Sequence, residues 1–490
     1  MPLILAIDQS TSATKAVLFD GAGKVLAKAS REHRQIYPRP GWVEHDAEEI
    51  WENVLAVIRE ITARNRAKIS KIAALSITNQ RETILVFDRK TGKPLHNAIV
   101  WQDRRGDAIC RKLRGQAGLV RRKTGLKVDT YFSASKLKWL IAEKPAVAAK
   151  LKSGGAVIGT IDTYLIHRLT GGEVFATDFT NASRTLLFDI GKLRWDEELC
   201  RLFNVPLRAL PEVRESSANF GETDAEGILP RALPITGVMG DSQAALFAQC
   251  CFQPGTAKAT FGTGTSVLLN IGERFRPSVK NSVTALAWVL KGKPTYAAEG
   301  IINYSAATIA WMQNQLGLIA SADEVEKLAA RVENNGGVYF VPAFAGLSAP
   351  YWSPDARAAI LGMSGHTRKE HVVRAALESI AYQIRDVLDM MRADAKLNLQ
   401  RLHADGGPTR NKFLMQFTAD ITRTELRVSE VAESSAWGAA MNGLLGLGVH
   451  SSVAAFTKFR RNATMYRARM NAAEAKKLHD GWLAAVKRIL

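Results

Sequence analysis

Two segments of this 490-residue chain, one at its start and one near its middle, follow the same local plan, and that repetition is the strongest constraint on its fold. The opening LILAIDQSTSATKAVLFDGAGKVLAKAS reads as an apolar strand, a turn of Ser and Thr, a second strand AVLF, a glycine turn and a third strand. The middle segment GTAKATFGTGTSVLLNIGE repeats it with strand-like KATF, a Gly/Thr turn, strand-like SVLLNI and another glycine turn. Two such β-meanders predict two halves built as variants of one design, with their hydroxyl-rich and glycine-rich hairpins facing each other across a cleft.

Helical stretches lie between and after the hairpins. In DAEEIWENVLAVIREITARN, Ile50, Val54, Leu55, Val57, Ile58 and Ile61 recur at helical spacing, and EHVVRAALESIAYQIRDVLDMMRAD does the same from Val372 to Met391. Strands alternating with such helices predict α/β layers, and 490 residues exceed what one core holds, so two domains are expected. The boundary is placed at 252–255, where Pro and Gly interrupt an apolar run, which divides the chain into 1–252 and 253–490.

Apolar runs such as LILAI are too short to cross a bilayer and lack the flanks of a secretory signal, so a soluble, cytoplasmic protein without membrane insertion is expected. Cys110, Cys200, Cys250 and Cys251 show no CxxC spacing and read as buried thiols. The net charge of +19 admits nucleic acid, an anionic membrane or an anionic substrate as partner. The basic residues are spread along the chain, with modest clusters at 121–123 and 458–461 and no aromatic interleaving, which favours a solvated surface over nucleic-acid binding.

Three loops carry chemistry. Asp8 ends an apolar strand and is followed by Thr11, Ser12 and Lys15, a set suited to a hydrated Mg²⁺ and to phosphate oxygens, although a Ser/Thr turn is more often only a turn. No GxxxxGK[ST] motif is present. Thr263 and Gly264 lie in a second such turn, and Gly406, Gly407 and Pro408 join strand-like RLHAD to helix-like KFLMQFTADI, where an anion or a nucleotide's base and ribose would fit. Asp241 opens the helical QAALFAQ, where an aspartate can accept a proton from an attacking hydroxyl or simply cap a helix. Arg81 and Glu82 end the strand of SITNQRET and offer either a grip for vicinal hydroxyls or a surface ion pair.

Taken together, YPRPGWVEHD, SITNQRET, NAIVWQDRR, GTIDTYLIHRLTGG, TDFTNASRT, GDSQAALFAQ, TFGTGTS, VPAFAGLSAPYW and ESIAYQIRDVL resemble, in the same order over nearly the whole chain, the glycerol kinases of the FGGY carbohydrate kinase family. The resemblance implies an α/β fold of two ribonuclease-H-like, actin-like ATPase domains around a central cleft. It implies ATP and Mg²⁺ as cofactors, a small polyol as substrate and a homo-oligomer, dimer or tetramer. It makes Asp241 the general base and Asp8 the Mg²⁺ residue, with Arg81, Glu82 and Tyr131 as polyol ligands and Trp101 as an apolar wall. It places Thr11, Ser12 and Lys15 on the first phosphate loop, Thr263 and Gly264 on the second, and Gly407 with Pro408 at the adenosine.

The chain departs from the family at identifiable positions. Ser242 stands where glycerol kinases usually have the Gln that helps bind glycerol, and Ser266 replaces a pocket aromatic, which predicts a roomier, more polar pocket. Ala306 replaces a Gly beside the nucleotide, Ala310 a Gln and Lys412 an Asn. The segment ETDAEGILPRALPITG lacks both the Gly-Gly-Thr-Arg loop through which some relatives bind fructose bisphosphate and the histidine that others have phosphorylated, so neither control is expected. The readings left standing are phosphorylation of glycerol, the same chemistry on a four- or five-carbon polyol or ketose, and a non-catalytic actin-like assembly protein.

Overall fold

The computed structural model describes residues 2–278, 282–429, 433–459 and 463–490; of the basic cluster at 458–461, Arg460 and Arg461 lie outside the described residues. In the first half, β1 (Leu3–Gln9), β2 (Ala13–Phe19), β3 (Val25–Glu32), β4 (Ile72–Asn79), β5 (Asn219–Thr223) and β6 (Leu233–Gly240) form one sheet in the order β3-β2-β1-β4-β6-β5. Strand β1 pairs antiparallel with β2 and parallel with β4, so the meander supplies one edge of the sheet and crossover connections the other. Helix α1 (Ala47–Arg64) begins where the Asp46 carboxylate accepts the N–H groups of Glu48 and Glu49, and buries Ile50, Val54, Val57, Ile58 and Ile61. Helix α2 (Asp241–Ala248) follows β6 without a loop.

The second half repeats this plan. Strands β7 (Thr256–Phe261), β8 (Thr265–Gly272), β9 (Val283–Leu290) and β10 (Lys293–Ile302), then β11 (Arg401–Asp405), β12 (Leu426–Ser429) and β13 (Ala463–Tyr466), order as β9-β10-β8-β7-β11-β12-β13. Here β7 takes the place of β1, antiparallel to β8 and parallel to β11. Its helices include α3 (Ala306–Asn314), the long α4 (Lys369–Ala395), α5 (Lys412–Thr422) and α6 (Ser434–Gly446). The duplicated order is the pair of actin-like domains that the resemblance implied.

Helices α2 and α6 lie together between the sheets, where Ala244, Leu246, Ala436, Ala440 and Met441 share one cluster with Ile4 and Ala6 of β1 and with Leu268 and Ala297 of β8 and β10. Their backbones approach closely, since a Cβ on Gly438 would stand 1.9 Å from the Ala244 carbonyl oxygen. All four cysteines are buried and unbridged, as expected. Among the described residues, no helix is long and apolar enough to cross a membrane.

Candidate active site

The ends of β1, β4, β6, β7 and β11 deliver the predicted residues to one region. Asp8, near the end of β1, is buried, and its backbone register partner on β2 is Lys15, whose Nζ lies 4.0 Å from its carboxylate. Lys15 also reaches Glu433 at 3.1 Å, and Lys28 pairs with the same carboxylate, so the cation of the first loop rests on the segment that leads into α6. Burial pushes the Asp8 carboxyl up to about 7; Lys15 pulls it down, while Asp241 and Glu433 add to the rise. A carboxylate so placed gains from a cation beside it. Among the described residues no group of three or more His, Cys, Asp or Glu is placed to hold a metal ion.

Beyond β4 the chain turns sharply, with Glu82 at φ 63°, a conformation non-glycine residues adopt rarely. Arg81 and Glu82 are both buried, so neither forms the surface ion pair that the dipeptide alone would favour, nor do they pair with each other. Arg81 directs Nη2 to Glu299 at 2.8 Å, Nη1 to the Gln243 side-chain oxygen at 3.2 Å and Nε to the Asp241 carboxylate at 3.3 Å. Glu82 accepts instead from Arg184 Nε at 2.5 Å. Asp241 is the first residue of α2, with 36% of its side chain exposed, enough for an incoming hydroxyl to reach it. Its Oδ1 accepts the Ser242 N–H at 2.6 Å.

Trp101 and Tyr131 flank this grip with ring centroids 5.3 Å apart. The Trp101 indole N–H donates to Thr11 Oγ1 at 2.9 Å, so the expected apolar wall is also pinned to the first phosphate loop. Burial raises the Tyr131 phenol, with Glu82 adding to the rise, which keeps it a neutral hydrogen-bonding group. Below both rings, buried Lys136 donates to the carbonyls of Trp101 and Tyr131 at 3.2 and 3.1 Å, and burial lowers its ammonium to about 8. Ser242 and Ser266 meet with hydroxyl oxygens 3.4 Å apart.

The second hairpin turn is anchored from behind. The N–H of Ala306, first residue of α3, donates to the Gly262 carbonyl at 3.1 Å, and those of Ser305 and Ala307 donate to the Thr263 carbonyl at 2.9 and 3.1 Å. Gly406 closes the third loop onto the same turn: at φ 101° its hydrogen faces the Phe261 carbonyl, where a Cβ would stand only 1.9 Å from the oxygen. Gly407 is exposed with open space around it, and together with Pro408 it opens the short turn leading to α5. A cavity of about 230 Å³ lined by Gly23, Cys250, His403, Trp437 and Phe456 involves none of these residues.

Sequence reasoning missed Arg184, Glu299 and Glu433 as members of the site. Arg184 was already within the quoted TDFTNASRT, and Glu299 could have been flagged as a lone acid in the apolar strand pattern TYAAEGII. Nothing local marks Glu433.

The FGGY family of carbohydrate kinases matches by its N-terminal domain over residues 3–248 and by its C-terminal domain over 257–447. Glycerol kinase 1 of Thermotoga maritima is 48% identical, with 99% of each chain covered, and the glycerol kinase of Desulfitobacterium hafniense is 45% identical over the same shares. A crystal structure of Plasmodium falciparum glycerol kinase with ADP superimposes with a TM-score of 0.95 at 39% identity, covering 100% of this chain and 98% of that one. With both domain families spanning most of its length and full-length relatives at this identity, the chain belongs to the FGGY family of carbohydrate kinases.

Proposed function

We propose that this protein transfers the γ-phosphoryl group of ATP to a terminal hydroxyl of glycerol, giving glycerol 3-phosphate and ADP, with Asp241 as general base. The observation that carries the reading is the Arg81–Asp241 approach at 3.3 Å at the head of α2: one side chain can hold a hydroxyl while the other takes its proton. The full-length likeness to glycerol kinases and to a relative crystallised with ADP supports the substrate pair.

In this reading Arg81, Glu82 and Tyr131 orient the polyol, Trp101 covers its carbon face, and Ser242 and Ser266 border its far end. Thr11, Ser12 and Lys15 face the phosphates from one domain, Thr263 and Gly264 from the other, and Ala306, Gly407 and Pro408 border the adenosine. Mg²⁺ beside Asp8 would neutralise charge on the β- and γ-phosphates. Most of the rate then comes from positioning and fixed electrostatics, with little covalent chemistry left to the protein. The domains are taken as 1–252 and 253–490, and a cytoplasmic homo-oligomer belongs to the same reading.

A second reading, a four- or five-carbon polyol or ketose, is favoured by the pair of small hydroxyl residues at 242 and 266. Turnover assays over glycerol, erythritol, xylitol and pentuloses separate the two. For the base, Asp241→Asn is expected to lower kcat by about two to four orders of magnitude with glycerol and nucleotide binding largely kept. Turnover within a few-fold of the parent would remove Asp241 from that role.

A further inference from the structure

Glu299 sits in the middle of β10, a strand of the second sheet, with its side chain wholly buried. A carboxylate there is tolerable only if it is paired. It is paired twice, and both partners come from the first half of the chain: Arg81 Nη2 at 2.8 Å on one oxygen and Arg184 Nη1 on the other. Arg184, also wholly buried, extends the link through Nε to Glu82 at 2.5 Å. Arg81 and Glu82, adjacent in sequence on a sharp turn, are thus also linked through a carboxylate from the opposite sheet and a second guanidinium. Because Arg81 also lies 3.3 Å from Asp241, Glu299 and Asp241 share one cation.

We infer that Glu299 is a positioning residue for the polyol site: with Arg184 as relay, it holds the Arg81 guanidinium midway between the substrate hydroxyls and the Asp241 carboxylate, and locks the grip to the second domain. This rests on the polyol-kinase reading above. Without the Glu299 charge, Arg81 is freed to close fully on Asp241. That contact would take donors from the polyol and occupy the carboxylate that is to receive the hydroxyl's proton.

The test is steady-state kinetics of Glu299→Gln, with nucleotide affinity measured by calorimetry and Glu299→Asp, Arg184→Lys and Arg81→Lys made in parallel. For Glu299→Gln, KM for glycerol is expected to rise about tenfold or more and kcat to fall, with ADP affinity within a few-fold of the parent. Glu299→Asp, which keeps the charge, is expected to restore part of the glycerol affinity. An unchanged glycerol KM in Glu299→Gln would overturn the inference, as would a loss of ADP affinity in parallel with that of glycerol, which marks a merely structural residue. Should Glu299→Gln fail to fold, Arg184→Lys decides by the same readouts. If Arg81→Lys weakens glycerol while the Glu299 and Arg184 variants do not, only this inference fails; if Arg81→Lys leaves glycerol untouched, the grip reading itself fails.

Discussion

Ser242 and Ser266 stand on different domains, one on α2 and one on β8, yet their hydroxyls approach to 3.4 Å beside the candidate base. Side chains this short leave room that a glutamine and an aromatic would fill, so a three-carbon substrate forgoes a hydrogen bond and an apolar contact, each worth about 1 kcal/mol or somewhat more. Restoring both with Ser242→Gln and Ser266→Phe is expected to lower the glycerol KM about tenfold or more, each 1.4 kcal/mol being a factor of about ten, and to penalise any longer substrate. Measured KM values for glycerol and xylitol check this. Tighter use of the longer polyol, or no change for either, would show that specificity is set elsewhere.

The first hairpin is seated on a buried histidine pair, which gives that element a pH dependence. His33 and His45 pack edge to face with centroids 4.7 Å apart, and the backbone N–H of His33 donates to the Ser12 carbonyl of the first hairpin turn. Burial lowers the His45 imidazole to about 3, with repulsion from His33 adding to the drop. Between its usual 6.5 and about 3 the unfolded chain therefore binds a proton that the folded protein refuses. Stability is unaffected by this group above pH 6.5 and falls as pH drops below it, by up to about 1.4 kcal/mol per pH unit. Urea unfolding of the parent and His45→Asn at pH 7.5 and 5 is expected to show a smaller acid loss in the variant. Equal losses would exclude the pair as the source.

At the scale of the molecule, the two domains communicate through α2 and α6. Helix α2 carries Asp241 at its head and anchors to the second sheet where Gln243 donates to the Leu286 carbonyl at 3.2 Å. Ser435 of α6 donates to the Asp241 carbonyl at 3.1 Å, while the rest of α6 packs on the first sheet. Because Gly438 touches the Ala244 backbone, Gly438→Ala must push the helices apart, a steric strain expected to cost about 1–3 kcal/mol. Thermal denaturation should register a lowered midpoint, and kcat measured well below it should also fall, since the proposed base rides on one of the displaced helices. A variant with parental midpoint and kcat would show that the helix contact has slack.

The chain's own order of residues determined what depends on near neighbours. The two meanders, the apolar stripe of α1, the glycine loop after β11 and the placing of Asp241 at a helix head were all legible, because strand and helix periodicity and turn chemistry act within a few residues. The likeness to a family then suggested the roles proposed for Arg81, Glu82 and Tyr131, which no local pattern distinguishes from surface polar residues. Only the tertiary structure decided which charges share a partner: Arg81 with Glu299, Arg184 with Glu82, Lys15 with Glu433. The members of each pair lie far apart in the chain and become partners only when the chain folds. A buried charge is defined by the counter-charge that folding brings to it, and that distance in sequence carries no local signal.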